Sequence, residues 1–174
     1  MTLETLKQAG AGWSKILGRR PDWQSHFRFD AEGMNGGFLA FGAAVLVAIV
    51  LATLRFGFPP PLAMALVVVQ HLLPLLALFI ATGLVARLSA FSGSTASFVV
   101  PGLYLLAAMK LVEGLATLLG VPLAGAILAV TGILGFRLAQ ANGLSLPTAI
   151  GYGLALFVLL AVLPIALYML VNAF

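Results

Sequence analysis

Ser97–Leu119, SFVVPGLYLLAAMKLVEGLATLL, is the stretch on which the reading of this chain turns. As a helix its 23 residues extend about 34 Å, enough to cross the roughly 30 Å hydrocarbon layer of a bilayer. Two charged residues interrupt it, Lys110 and Glu113, three positions apart and therefore on one helical face, where each offsets the other's desolvation. An ionisable group at membrane depth is costly and tends to face a bundle interior or an aqueous cavity.

The rest of the chain agrees with a membrane reading. Of its 174 residues 62% are apolar and 8% charged, whereas a soluble domain carries about a quarter charged residues. A soluble enzyme is excluded on that ground, and the fold class expected is an all-α, polytopic membrane helical bundle. Divided at prolines, glycines and isolated charges, the apolar sequence predicts about five transmembrane helices, near 37–54, 62–83, 97–119, 122–138 and 147–171. The turns between them carry Gly57 with Pro59–Pro61, a brief Gly120–Pro122, and the polar run Gln140–Ser145. A re-entrant fourth segment is the alternative to five spans.

Residues 1–35 form a separate amphipathic segment ahead of the 36–174 membrane domain. They hold five of the nine basic residues and four of the five acids, and their polar length argues against a signal peptide. Leu3, Leu6, Trp13, Ile16 and Leu17 fall near one side of a helix, with Lys7, Lys15, Arg19 and Arg20 on its flanks, up to Pro21. This predicts either an interfacial helix touching lipid or a short cytoplasmic cap. With the segment placed inside, seven basic residues lie on that side and only Arg55 on the other. The expected location is a bacterial inner membrane, amino terminus cytoplasmic and carboxyl terminus opposite.

Inside the second segment Gln70, His71 and Pro74 stand together; Pro74 frees the carbonyl of Gln70 and marks a helix kink. His71 has no metal partners at any ligand spacing, and cysteine is absent, so neither a metal site nor a cofactor is expected. Small residues at Gly36/Ala40/Ala44, Gly125/Ala129 and Gly151/Ala155 offer close helix approach. Neither a phosphate loop nor a nucleophile elbow occurs in a supporting context, so no catalytic residue is assigned. The thinly spread basic residues speak against nucleic acid as a partner.

Leu84 to the carboxyl end carries a further pattern: Phe91-Ser92-Gly93-Ser94 with Ser97-Phe98, then Gly120-Val121-Pro122, then Arg137 to Ser145 followed by Pro147. This pattern resembles the membrane domain of bacterial Yip1-like proteins. The resemblance implies five membrane helices and a cytoplasmic amino terminus, and it transfers no catalytic residue. Asn142 stands where that family's turn often carries histidine.

Two functions follow as expectations. One is a non-enzymatic multipass protein acting by protein–protein contacts, as a small subunit, scaffold or assembly factor, in contact with membrane lipids and with another membrane protein or a second copy of itself. The other is a small transporter or permease-like component with a polar path through His71, Lys110 and Glu113.

Overall fold

The computed structural model describes residues 2–89 and 91–173. The chain is an all-α bundle with five long apolar helices, each long and apolar enough to cross a membrane. Helix α1 (Leu3–Leu17) and a 3-10 turn (Pro21–His26) precede α2 (Ala31–Phe56), α3 (Pro61–Leu88), α4 (Ala96–Leu119), α5 (Ala124–Ala141) and α6 (Leu146–Val171).

Local chemistry sets the helix ends, and several differ from the spans predicted above. Asp30 caps α2 by accepting a 2.8 Å hydrogen bond from the Gly33 amide, so α2 begins at Ala31 and the boundary expected at residue 36 falls inside it. Helix α3 runs past residue 83 to Leu88, because nothing between Gly83 and Ser89 interrupts its hydrogen bonding. Pro61 and Pro147 sit in the first turns of α3 and α6, where a missing amide costs nothing. Helix α1 stops at Leu17, ahead of Pro21, in a Schellman turn: the amides of Arg19 and Arg20 donate to the carbonyls of Ile16 and Lys15.

Helix α4 is the centre. Within its most apolar window 67% of residues are buried, against 11% for α6, although α6 is the more hydropathic. Helix α2 packs along α4 more extensively than any other pair, α5 pairs with α6, and α6 leans on α3; the consecutive helices α2 and α3 barely touch. Close approach depends on glycine. A Cβ on Gly102 would lie 2.6 Å from Leu78, and one on Gly153 would lie 2.7 Å from the Gly132 carbonyl. Of the small residues singled out above, Ala40 and Ala44 are buried on the α2–α4 seam, but Gly125 and Gly151 face open space. The α5–α6 seam uses Gly132, Gly135 and Gly153 instead: Gly132 lies two turns along the same side of α5 from Gly125, and Gly153 on the opposite side of α6 from Gly151.

The bundle has two unlike ends. At the near end the amino-terminal segment lies across the helices: the Trp13 indole donates to the Pro101 carbonyl at 3.1 Å, and the Trp23 indole to the Ala141 carbonyl at 3.2 Å. At the far end Arg55 donates to the Leu118 carbonyl at 3.0 Å, beside Gly120, whose φ of 75° closes α4. Helix α5 thus runs from the far-end turn to Trp23 at the near end. It traverses the bundle and does not turn back as a re-entrant segment would. Its 18 residues give about 27 Å, the minimum for a span.

Candidate functional site

The far half of the bundle holds the polar groups that the sequence singles out. Lys110 Nζ donates to Glu113 Oε2 at 2.7 Å, and the pair lines a crevice of about 250 Å³ together with Gln70, Pro74, Thr131 and Pro164. Four helices supply these residues, so the crevice exists only in the folded bundle. Lys110 is buried, whereas the Glu113 side chain keeps 40% of its exposure. Thr131 is buried and spends its hydroxyl on the Ile127 carbonyl at 2.7 Å, leaving the ion pair as the main polar feature of the wall.

His71 stands beside this crevice, within electrostatic range of Lys110 and Glu113. Its Nδ1 donates to the Val67 carbonyl at 2.8 Å, one turn back on its own helix, which places the proton on Nδ1. The structure therefore brings Gln70, Pro74, Lys110 and Glu113 to one crevice, with His71 at its margin. Among the described residues no group of three or more His, Asp or Glu side chains is placed to hold a metal ion.

The crevice closes toward the near end. Leu106 and Leu160 form its wall there, and beyond them Phe98, Leu103, Tyr152 and Leu156 are fully buried. Phe98 packs on Tyr152 with ring centroids 5.1 Å apart, and the Tyr152 hydroxyl meets Thr82 at 3.5 Å. The polar lining of the crevice thus does not extend into the packed near half.

At the near end the sequence candidates divide. Ala9, Gly12 and Ile16 are the buried face of α1, while Leu3, Leu6 and Leu17 remain exposed, so Ile16, with the half-buried Trp13, parts from the three leucines expected to share its side. Lys7 is exposed, and Lys15 pairs with Asp22. That hydrogen bond from Lys15 holds the Asp22 carboxyl below the usual carboxylate range. The Gly33 amide, followed by Arg28, does the same for Asp30, and the bond to Asp30 raises Arg28 in turn. Arg19 and Arg20 lie beside Arg137 of α5.

Sequence reasoning did not foresee a second polar cavity, of about 660 Å³, under the near-end loops. Ser97 Oγ donates to Asn142 Oδ1 at 2.5 Å, and Asn142 Nδ2 donates back to the Ser97 carbonyl at 3.3 Å. The Phe91–Ser97 loop and the Asn142–Gly143 turn, 45 positions apart, therefore close on each other. Their polar residues, placed in otherwise apolar sequence, were the available signal. No family model, curated protein or solved structure matches this chain.

Proposed function

We propose that this membrane-embedded protein works by contact, as a non-enzymatic small subunit, scaffold or assembly factor whose open far half receives a neighbouring membrane protein or a second copy of the chain. The observation that carries this reading is the crevice whose polar lining ends partway across the bundle. Its ion pair is already satisfied at 2.7 Å, and the packed near half leaves no polar route beyond it. In this reading the near end faces the cytoplasm of a bacterial inner membrane, since seven basic residues cluster there. Kinship with the Yip1-like membrane domain is proposed as well, supported by the bonding between its two motif-bearing loops.

Mass determination of the full chain purified in mild detergent tests the proposal. A defined complex that Glu113→Gln disrupts is the expected result. A monomer in which Glu113→Gln abolishes proton flux into liposomes overturns it in favour of a transporter or permease-like component. That second reading has its own support, in the convergence of Gln70, Lys110 and Glu113 on one crevice with His71 alongside.

A further inference from the structure

We infer that the near end carries a binding site for an anionic phospholipid, with the lipid phosphate held by Arg19, Arg20 and Arg137 and an acyl chain laid in the apolar groove between α1, α2 and α4. The inference stands on different residues from the far-half reading and survives its failure.

Arg19 and Arg20, which follow α1, and Arg137 of α5 line one pocket of about 390 Å³, beside the neutral amides of Gln24 and Gln140. Among the described residues none of the three has an acidic partner within 4 Å; Arg137 bonds only the neutral Gln140, at 3.3 Å. The acids of the amino-terminal segment are committed elsewhere, Asp22 to Lys15, and Asp30 and Glu32 to Arg28. Converging cations without a counter-charge repel one another, and an anion relieves that repulsion. Arginine also presents a planar fork that matches phosphate oxygens.

Backbone conformation gives an independent indication. Arg19 has φ of 55°, and it is the only described non-glycine residue with positive φ. It occupies the left-handed position of the Schellman turn that ends α1, where glycine is the usual residue. Gly18 sits one position earlier, where its φ of −76° makes no use of glycine's freedom. An arginine is thus held in a conformation that penalises its side chain, at the mouth of a pocket holding two more arginines. Strain of this kind concentrates at ligand-binding positions.

The pocket adjoins an apolar groove of about 500 Å³. Ile16 and Arg19 line the pocket while Leu17 and Trp13 line the groove, and on α5 Arg137 and Leu134, one turn apart, do the same. On α4 the groove extends from Tyr104 to Leu111, about 10 Å along the helix. A cationic pocket with an apolar groove beside it, lined by neighbouring residues of the same two helices, fits an amphiphile with one anionic end. Free phosphate would satisfy the arginines and leave the groove empty. Basic pockets between membrane helices on the cytoplasmic side are suited to anionic headgroups.

The experiment uses the full chain in detergent micelles with three probes: dioleoyl phosphatidylglycerol, dioleoyl phosphatidylcholine and glycerol 1-phosphate. Lipid retained in native mass spectra and the shift in Tm are read for each. Phosphatidylglycerol is expected to be retained and to raise Tm, and the other two to do neither. Arg137→Gln weakens that retention about fivefold. Arg19→Gly raises the Tm of the lipid-free protein by relieving the backbone, yet weakens retention to a similar degree, which separates the site from fold stability. Ala108→Phe, at an exposed position on the groove wall, lowers retention with all three arginines present. Equal retention of phosphatidylcholine, or undiminished retention in the Arg19→Gly/Arg137→Gln double variant, overturns the proposal. A full Tm shift from glycerol 1-phosphate alone overturns it in favour of a simple anion site.

Discussion

In the near half of the bundle Gly102 of α4 admits Leu78 of α3, and Gly153 of α6 lies against Gly132 of α5; in the far half the same helices stand apart around Lys110 and Glu113. Among the described residues α3 buries nothing before Ala77, α5 nothing before Thr131, α6 nothing after Leu160 and α2 nothing after Ala48. The change falls close to Pro74 and Pro164, each of which lacks the amide for a backbone hydrogen bond within its helix. Apolar composition is similar in both halves, so hydrophobicity does not distinguish them. Without a hydrophobic driving force between helices in lipid, close packing needs small residues at matched heights; Gly102, Gly132 and Gly153 supply them in the near half, whereas in the far half Gly114 of α4 meets Ala48 of α2 and Gly125 of α5 meets nothing within 4 Å.

This contrast can be broken in four ways, in descending order of effect. Phe98→Ala, in the near half, should cost about 3–5 kcal/mol, whereas Ile165→Ala in the far half should cost under about 0.5 kcal/mol. Reversible unfolding in detergent measures both, and similar values would mean that the far half is as tightly packed as the near. Glu113→Gln leaves the buried Lys110 ammonium without its partner and should cost about 1–3 kcal/mol, less than for a fully buried pair because Glu113 is partly exposed. Replacing both residues, Lys110→Met with Glu113→Leu, should be nearly neutral if the pair is only structural; a double variant that is stable yet fails to assemble assigns the pair to the partner surface.

The third test sharpens the seam. Gly153→Ala should cost about 1–3 kcal/mol by overpacking against Phe136 and Gly132, while Gly151→Ala, two residues away on the open face, should be neutral or slightly stabilising. The smallest effect concerns acid. The Asp22 and Asp30 carboxyls are depressed in the folded chain, so their stabilisation is complete above the ordinary carboxylate value of about 4 and is lost as pH falls through the folded values. Amide exchange in residues 2–30 should therefore accelerate below about pH 4 while the near-half core remains protected; simultaneous loss of both would show that the segment is part of the core's cooperative unit.

Much of this architecture is legible in the sequence. The five helices overlap the five predicted spans, with ends up to six positions away, and Lys110 and Glu113 pair as their i, i+3 spacing allows. The start of α2 was missed because the polar residues 31–36 do not announce a membrane helix, although Asp30 three positions before Gly33 is a capping signal. Residue type identified the small positions but not the seam: Gly125 and Gly132 look alike in sequence, and only the facing helix separates them. The polar residues of the two loops stood out in the sequence, but that Ser97 bonds Asn142 and that Arg19 and Arg20 meet Arg137 did not, since no short-range periodicity links residues so far apart.

By itself, then, the sequence determined residence in a bilayer, the number of long apolar helices and the local ion pair. Each of these depends on a local sum or on the 3.6-residue period, and neither needs a neighbour. Tertiary structure decided that α4 is central, that the far half stays open, that the polar lining of the crevice ends partway across and that three arginines share a pocket near an apolar groove. Those features depend on which faces of several helices fit one another at once, and shape complementarity among similar apolar surfaces is not encoded in any one of them.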